Sequence, residues 1–410
     1  MKPIESLILQ MPKADLHVHL DGSLRPQTFL ELADQHGVEV PANCEADLFK
    51  TIFKEKYVDL EDYLRGFAFT CAVLADEEAI ERVAYELCVD SLADGVYYLE
   101  IRFAPQLFAS PQADIVAVLK AAANGIQRAE TEWQTEKSRP NSKLSPEERS
   151  KPPFRAALIA CALRFFKPAF SQWFAQYFDH YPEESDSAIF ARASLDLVQD
   201  CLRARDQGIP IVGIDLAGVE QGYEAKDHSL AFGLAHQAEL GITLHAGEAA
   251  GPASIHQALT DCHAQRLGHA TWVFGSKWRQ PVAPYSPRPV SNPLVEELIA
   301  KNIGIEVCLT SNLQTLPEIK DLKHHPLTAM MEQGMAVTLC SDNLLMSRTT
   351  LSGEYLRAQK NWQWSSDTLH QLTWRAFEQS FFPGTPAEKT TFLRAIRRFS
   401  TSLNQDAEKK

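Results

Sequence analysis

Residues 96–104 read VYYLEIRFA, an almost continuous run of β-branched, aromatic and aliphatic side chains. Residues 156–163 (AALIACAL) and 211–217 (IVGIDLA) have the same character. Runs of this kind are typical of strands that are buried on both faces, as in a parallel sheet covered by helices. The sequence therefore predicts an α/β protein built around a parallel sheet.

Eight such segments follow one another, with helical patterns between them, for example over residues 76–94, 114–136, 189–206 and 227–240. The predicted strands are residues 14–20, 97–104, 154–164, 211–217, 242–246, 264–269, 303–308 and 335–340. Eight repeats favour a closed TIM-like (β/α)8 barrel over an open doubly wound sheet. We predict one barrel domain over residues 1–410, with its active site at the C-terminal ends of the strands.

Two segments interrupt this pattern. Residues 133–153 are polar and rich in Pro and Ser, which predicts a surface excursion that adds little to the core. This insertion precedes a predicted strand, which places it on the face opposite the active site. Residues 275–293 carry five prolines and follow the strand that ends at His269. We expect this loop on the catalytic face, where it would cover the mouth of the barrel.

Composition limits the class of protein and of ligand. The chain is 45% hydrophobic and 23% charged, which is ordinary for a globular protein, and it has no apolar run that could span a bilayer. The first residues, MKPIESLILQMPKAD, lack the features of a secretory signal, so we expect a cytoplasmic protein. A formal charge of −13 disfavours nucleic acid and anionic membranes as partners and favours a small uncharged or cationic ligand.

The eight cysteines lie in apolar segments without any C-x-x-C pair, which predicts reduced core thiols. The absence of a C-x-x-C pair also excludes the zinc enzymes that bind their metal through the motifs H-x-E and P-C-x-x-C.

The pair His17 and His19 stands at the end of the first predicted strand, in ADLHVHLDG. Residues i and i+2 of a strand point to the same face, so both imidazoles can reach one metal ion. Zinc held by imidazole and carboxylate ligands, with an open position for water, generates hydroxide near neutral pH. A single H-x-H pair is weak evidence for such a site.

Other polar residues strengthen the evidence for such a metal site, because they also stand at or just after the ends of predicted strands. His245 ends ITLHAGE, His269 ends RLGHA and Asp342 follows VTLCSD. In a barrel these positions converge on one mouth. The sequence therefore predicts a shared metal and catalytic site there.

Several stretches together identify a resemblance to the adenosine deaminases of the amidohydrolase superfamily. They are ADLHVHLDGSLRPQT (14–28), YLEIRFAP (98–105), DLAGVE (215–220), TLHAGEAAGPASI (243–255), RLGHA (266–270), EVCLTSNLQT (306–315), HPL (325–327) and TLCSDN (338–343). The resemblance implies hydrolytic deamination of adenosine, and of 2′-deoxyadenosine, in purine salvage. It also implies one catalytic Zn²⁺ per chain, with the ligands His17, His19, His245 and Asp342.

The resemblance implies three catalytic residues. Glu248 would protonate the purine ring nitrogen beside the attacked carbon, so that negative charge does not build up on the ring. His269 would orient the attacking water and help to deprotonate it. Asp342 would accept the water's proton and later pass it to the departing ammonia.

The substrate-binding residues implied by the resemblance are His19, Asp21, Gly218 and Asn343. Asp21 corresponds to the carboxylate that accepts a hydrogen bond from a ribose hydroxyl. Gly218 corresponds to a backbone N–H donor to a purine nitrogen. Many family members have Asp-Asp where this chain has Asp342-Asn343, and an Asn amide donates to purine N7 without holding an extra proton.

Two alternatives stay open at this point. Adenine or a modified adenine nucleoside could be the true substrate, although Asp21 favours a ribosyl group. The chain could also be a catalytically silent barrel that binds a nucleoside, which would not require a complete catalytic set. The predicted partner is in each case a small purine, not a nucleic acid or a membrane.

Overall fold

The computed structural model describes residues 4–139, 144–275 and 292–408. Its core is a parallel sheet of eight strands that pair in chain order from β1 to β8. The strands are β1 (Lys13–His19), β2 (Val96–Phe103), β3 (Arg155–Leu163), β4 (Ile211–Ala217), β5 (Gly241–Ala246), β6 (Arg266–His269), β7 (Gly304–Val307) and β8 (Ala336–Leu339). The predicted strand boundaries differ from these by at most two residues.

The two edges of this sheet meet beside the predicted metal ligands. Asp342, just beyond β8, forms a parallel bridge with Val18 of β1. The Asp342 N–H donates to the His17 carbonyl at 2.8 Å, and the His19 N–H donates to the Asp342 carbonyl at 2.7 Å. These bonds bring the sheet close to full closure, so the prediction of a TIM-like (β/α)8 barrel is confirmed.

Helices connect and surround the strands. The α-helices of the described residues are α1 (Ile4–Gln10), α2 (Pro26–His36), α3 (Glu45–Thr51), α4 (Leu60–Leu64), α5 (Phe67–Val73), α6 (Glu77–Ala93), α7 (Ile115–Ser138), α8 (Pro146–Arg149), α9 (Gln172–His180), α10 (Asp186–Asp206), α11 (Ser229–Gln237), α12 (Pro252–Thr260), α13 (Pro293–Ala300), α14 (Leu309–Thr315), α15 (Leu327–Glu332), α16 (Leu351–Trp362), α17 (Ser366–Gln379) and α18 (Pro386–Glu408). Short 3₁₀ turns add Pro105–Leu107, Pro168–Phe170, Ala225–His228 and Leu322–His324.

Capping side chains fix where the helices begin. Asp76 accepts a hydrogen bond from the Ala79 N–H at 2.8 Å, and Asp114 accepts one from the Ala117 N–H at 2.8 Å. The helices predicted from residues 76 and 114 are therefore confirmed as α6 and α7. The helix predicted over 227–240 is only partly right, because a 3₁₀ turn precedes α11 and the helix ends at Gln237.

Aromatic residues close the N-terminal end of the barrel, opposite the strand ends that carry the histidines. Tyr98 of β2 stacks on Phe382 with ring centroids 5.6 Å apart, and Phe392 and Phe399 of α18 belong to the same buried cluster. The helices that follow β8 therefore seal this end.

The polar insertion at 133–153 is more ordered at its start than predicted. Helix α7 continues to Ser138, and Trp133 packs against the core while its Nε1–H donates to the Pro152 carbonyl at 3.1 Å. Trp133 is therefore a residue of this segment that packs against the core. Because the segment leads into the first residue of β3, it lies at the barrel end away from the histidines. Residues 140–143 lie outside the described residues.

Three other predictions concern loops, thiols and membranes. The Pro-rich loop at 275–293 falls almost entirely outside the described residues, which resume at Asn292. All eight cysteines are free and six are buried, but Cys44 is exposed, so the expectation of core thiols was wrong for that residue. Within the described ranges, no helix is both long enough and apolar enough to cross a bilayer.

Candidate active site

The structure brings the five predicted strand-end residues together at one end of the barrel. The imidazole centroids of His17 and His245 lie 4.6 Å apart, and that of His269 lies 5.1 Å from that of His17. His269 and Asp342 both adopt left-handed backbone conformations, with φ of 65° and 64°. Such conformations cost non-glycine residues about 1–3 kcal/mol and persist where the surrounding structure enforces them.

Four potential ligand atoms converge on one point. The Asp342 Oδ1 lies 3.5 Å from the His17 Nε2 and 3.6 Å from the His19 Nε2. The His19 Nε2 in turn lies 3.3 Å from the His245 Nε2. Zinc bonds of about 2.0–2.1 Å in a tetrahedral arrangement place ligand atoms roughly 3.3–3.4 Å apart. The spacing of these four residues therefore suits a zinc ion.

Carboxylates behind two of the histidines set their tautomers. The Nδ1 of His17 lies 2.9 Å from the Glu306 Oε2, and the Nδ1 of His245 lies 2.9 Å from the Asp215 Oδ2. A carboxylate accepts the Nδ1–H, so the Nε2 lone pair of each ring faces the shared point. The His17 Nε2 is buried without a hydrogen-bond partner among the described residues. A cation satisfies such converging lone pairs, so the residues fit a metal.

A buried layer of charged side chains supports these carboxylates from below. Arg102 donates to Asp215 at 3.1 Å and to Glu306 at 2.9 Å. Arg266 donates to Glu306 at 2.7 Å and also pairs with Glu100. Burial alone would raise the pKa of Asp215 and Glu306, but the adjacent histidines and guanidiniums hold both pKa values well below their usual range.

Sequence reasoning missed this charged layer, although a signal was present. Glu100 and Arg102 occupy alternate positions of the otherwise apolar run VYYLEIRFA, and all of β2 is buried. Side chains at i and i+2 share one face of a strand, which here is the barrel interior. Charged residues with this spacing in an apolar strand therefore indicate a polar barrel core.

Glu248 is buried at the edge of the ligand cluster. Its Oε1 lies 3.3 Å from the Thr315 hydroxyl, and its Oε2 lies 3.7 Å from the His269 Nε2. Burial, together with the negative charge of Asp342, raises the pKa of Glu248 to about 8. A raised pKa favours the protonated carboxyl, which can act as a proton donor.

A second carboxylate holds the loop that carries Glu248. Glu220 accepts hydrogen bonds from the N–H groups of Gly247 at 2.6 Å, Ala249 at 2.8 Å and Ala250 at 2.8 Å. Three charge-assisted bonds to backbone donors within residues 247–250 restrict the loop strongly. Glu220 belongs to the DLAGVE stretch, but sequence reasoning gave it no role.

A cavity of about 760 Å³ opens above the cluster. Its lining includes all seven residues predicted to bind substrate or catalyse the reaction, together with the predicted ligand His245. These seven are His19, Asp21, Gly218, Glu248, His269, Asp342 and Asn343. The walls come from segments that the sequence did not identify, namely Tyr63 and Phe67 of α4 and α5 and Phe165 and Phe170 after β3. Apolar walls with a few polar groups at one end are typical of small-molecule sites.

Two of the predicted substrate-binding residues offer this cavity an unpartnered polar atom or free space. Burial raises the pKa of Asp21 to about 7, and its Oδ1 has no hydrogen-bond partner among the described residues. Gly218 has φ of 96°, and an added Cβ would have only the Arg164 nitrogen, at 4.0 Å, within reach. Gly218 therefore leaves open space beside its backbone on the cavity wall.

Asn343 is held tightly beside Asp342. Its Nδ2 donates to the Asp342 Oδ1 at 2.7 Å, which leaves a second N–H, while its Oδ1 has no hydrogen-bond partner among the described residues. A Cβ on Gly22 would lie 1.6 Å from that Oδ1, so only glycine at position 22 admits this arrangement. Asn343 thus orients the Asp342 carboxylate and keeps one donor for a ligand.

Comparison with known proteins assigns the family. The family model described as adenosine deaminase matches residues 12–169 and 188–397. An adenosine deaminase of Mycobacterium sp. (strain JLS) is 33% identical over 380 residues, which is 92% of each chain. A probable adenosine deaminase of Dictyostelium discoideum is 31% identical over 400 residues, and there the match covers 97% of this chain but only 44% of the relative.

A solved structure shows the same fold. An amidohydrolase from Burkholderia ambifaria with bound Zn has a TM-score of 0.74 and 18% identity, with 99% of this chain and 95% of that chain covered. At this identity the likeness extends to the fold alone. The family model and the curated relatives carry the assignment, and the chain belongs to the adenosine deaminase family of hydrolases.

Proposed function

We propose that the protein is a zinc-dependent hydrolase that converts adenosine, and 2′-deoxyadenosine, to inosine or deoxyinosine and ammonia. The observation that carries this proposal is the convergence of His17, His19, His245 and Asp342 beneath a cavity that Glu248 also lines. Family membership supports the same reaction. The proposed stoichiometry is one zinc ion per chain, because the two candidate groups of ligand atoms, His17–His19–His245 and His17–His269–Asp342, share His17.

The proposed mechanism divides the chemistry among three side chains. Zinc at this site would lower the pKa of a coordinated water and so supply a hydroxide nucleophile near neutral pH. Asp342 accepts the proton of the attacking water, and Glu248 donates a proton to the ring nitrogen beside the attacked carbon. His269 positions the water. When the C–N bond to the amine breaks, the proton held by Asp342 leaves with ammonia, and the proton of the newly added hydroxyl returns to Glu248 as the carbonyl forms.

The proposed substrate contacts use the unsatisfied groups of the cavity. The Asp21 carboxyl bonds a ribose hydroxyl, the backbone N–H of Gly218 donates to a purine nitrogen, and the free N–H of Asn343 donates to N7. His19 borders the cavity as well as the metal site. A nucleoside thus satisfies groups that adenine alone would leave unpaired, since adenine offers nothing to Asp21.

The proposed setting is purine salvage in the cytoplasm. Eight free cysteines are compatible with a reducing compartment. The proposed partner is a small purine nucleoside. The formal charge of −13 supports the absence of nucleic-acid and membrane partners.

The test is ammonia release from a panel of adenosine, 2′-deoxyadenosine, adenine and N6-methyladenosine, combined with elemental analysis of the purified protein. We expect one zinc per chain and the highest kcat/KM for adenosine or 2′-deoxyadenosine. His245→Ala should lose both zinc and turnover, whereas His236→Ala, a change on helix α11, should keep both. Faster turnover of adenine or of the N6-methyl substrate would reassign the substrate. Binding of adenosine without any turnover by the zinc-loaded protein would make the chain a silent nucleoside-binding barrel.

A further inference from the structure

His269 has a fixed partner on the side of its ring that faces away from Glu248. Its Nδ1 lies 3.1 Å from the Nδ2 of Asn312, a residue of α14 just after β7. Both side chains are buried, with exposures of 1% for His269 and 0% for Asn312. An amide nitrogen can only donate, so the orientation of the Asn312 amide decides which nitrogen of His269 carries the proton.

A chain of hydrogen bonds that starts at a backbone N–H sets this orientation. The Leu327 N–H donates to the His325 Nδ1 at 3.1 Å, so this Nδ1 must be unprotonated. Burial lowers the pKa of His325 to about 3, so the neutral ring carries its single proton on Nε2. That Nε2 lies 3.2 Å from the Asn312 Oδ1, which therefore accepts its proton.

A second donor reaches the same oxygen. The Thr271 hydroxyl lies 3.4 Å from the Asn312 Oδ1, close to the limit for a hydrogen bond. Two donors on one side of the amide identify that atom as the oxygen. The nitrogen of Asn312 must then face His269, whose Nδ1 accepts and whose Nε2 carries the proton.

We propose that Asn312 and His325 are positioning residues that hold His269 in its Nε2–H tautomer. This inference rests on the proposed deaminase function and refines the role of one residue in it. The Nε2 of His269 lies on the side of Glu248, at 3.7 Å from the Glu248 Oε2. His269 therefore meets the attacking water as a hydrogen-bond donor, and Asp342 alone accepts the water's proton.

A purely structural role predicts different behaviour from the same residues. If the three side chains only packed α14 against the barrel, an isosteric replacement would lower stability and leave the His269 ring unchanged. Asn312→Asp preserves shape but presents only acceptors, so it should move the His269 proton from Nε2 to Nδ1. His325→Gln keeps an N–H that can donate to Asn312, whereas His325→Leu cannot donate.

The experiment measures the tautomer and the kinetics separately. The ¹⁵N chemical shifts of zinc-loaded, histidine-labelled protein distinguish protonated from bare ring nitrogens, and comparison with His269→Gln assigns the signals. We expect the wild-type ring to be protonated on Nε2 and the ring in Asn312→Asp on Nδ1. For Asn312→Asp and His325→Leu, kcat should fall at least about tenfold while KM changes less than about threefold. His325→Gln should retain most of the activity.

Thr271→Val is the matched control, because it removes the longer contact to the Asn312 Oδ1 and leaves the His325 donor in place. It should keep the Nε2–H tautomer, with kcat within about threefold of wild type. An Nδ1–H tautomer in the wild-type protein would overturn the proposal, as would equal kcat in His325→Gln and His325→Leu. If Asn312→Asp does not fold, the wild-type spectrum and the kinetics of His325→Gln and His325→Leu still test the proposal. An Nε2–H tautomer in a protein that does not deaminate adenosine would refute the proposed function and leave the positioning chain intact.

Discussion

Two polar layers occupy the barrel interior, and they are built differently. The upper layer holds His17, His19, His245, His269 and Asp342 at the strand ends. The lower layer holds Glu100, Arg102, Asp215, Arg266 and Glu306 inside the strands. Both are buried, with no residue more than 9% exposed.

The difference lies in their pairing. In the lower layer each charged group faces an opposite charge, whereas the upper layer leaves lone pairs directed at a common point. The lower layer contains three carboxylates and two guanidiniums, so it retains one formal negative charge beneath that point. The ion pairs of the lower layer therefore hold the upper-layer side chains in position, and the net negative charge of the lower layer favours a cation at the point where the lone pairs converge.

The largest effect is expected from Glu248→Gln in the upper layer. This change removes the proton donor but keeps the shape, so kcat should fall at least roughly 100-fold while zinc content is unchanged. Because only the protonated carboxyl can donate, kcat/KM of the wild type should fall as pH rises through about 8. A bound cation would lower this pKa, which places the fall at or below that pH.

The pH profile distinguishes Glu248 from other causes. The residual rate of Glu248→Gln should lack the alkaline fall, since a glutamine does not titrate. Glu318→Gln, a change on the loop after α14, provides a control that should leave rate and profile unaltered. If Glu248→Gln kept its rate within a few-fold of wild type, the proton donor would have to be another group.

The second prediction tests the lower layer through Glu306→Gln. Glu306 accepts from the His17 Nδ1, from Thr243 at 3.0 Å and from both Arg102 and Arg266. Removal of its charge leaves buried guanidiniums undercompensated, which should lower the free energy of unfolding by about 3–5 kcal/mol. Loss of the His17 partner should weaken zinc binding by about 10- to 100-fold.

Urea unfolding and competition with a chelator measure these two effects. Glu297→Gln on α13, whose partner is Lys301 one turn away, is the matched control and should change neither. Unchanged zinc affinity in Glu306→Gln would contradict the proposed support, because it would show that the lower layer does not influence the metal.

The sequence predicted that the residues of the upper layer lie together at the strand ends, but it did not predict how the charges of the lower layer pair. His17, His19 and Asp342 flank turns, where polar residues stand out against apolar strands and where a barrel gathers its functional groups. Glu306 and Arg266 lie within short strands, and their partners are far away in sequence. Such pairing depends on barrel closure, which spacing along the chain does not reveal.

The walls of the cavity were unpredictable for a related reason. Helices α4 and α5, which contribute Tyr63 and Phe67, are only five and seven residues long, too short for a clear helical period. Their position over the mouth is fixed by tertiary contacts such as that between Tyr63 and Ser347, at 3.1 Å. The barrel itself was predictable because each of its strands carries its own apolar signal.

The smallest effect is expected from Glu220→Gln, a change that weakens the support of the loop carrying Glu248. Glutamine keeps one acceptor oxygen where the carboxylate offered two, so it cannot hold all three backbone donors of the 247–250 loop. Glu248 should then be less well positioned, and kcat should fall by about tenfold. Zinc content should not change, because Glu220 contacts no ligand side chain. Glu224→Gln, an exposed residue of the same connection that pairs with Lys226, should have no effect. A loss of zinc in Glu220→Gln would show that this loop supports the metal ligands rather than the proton donor.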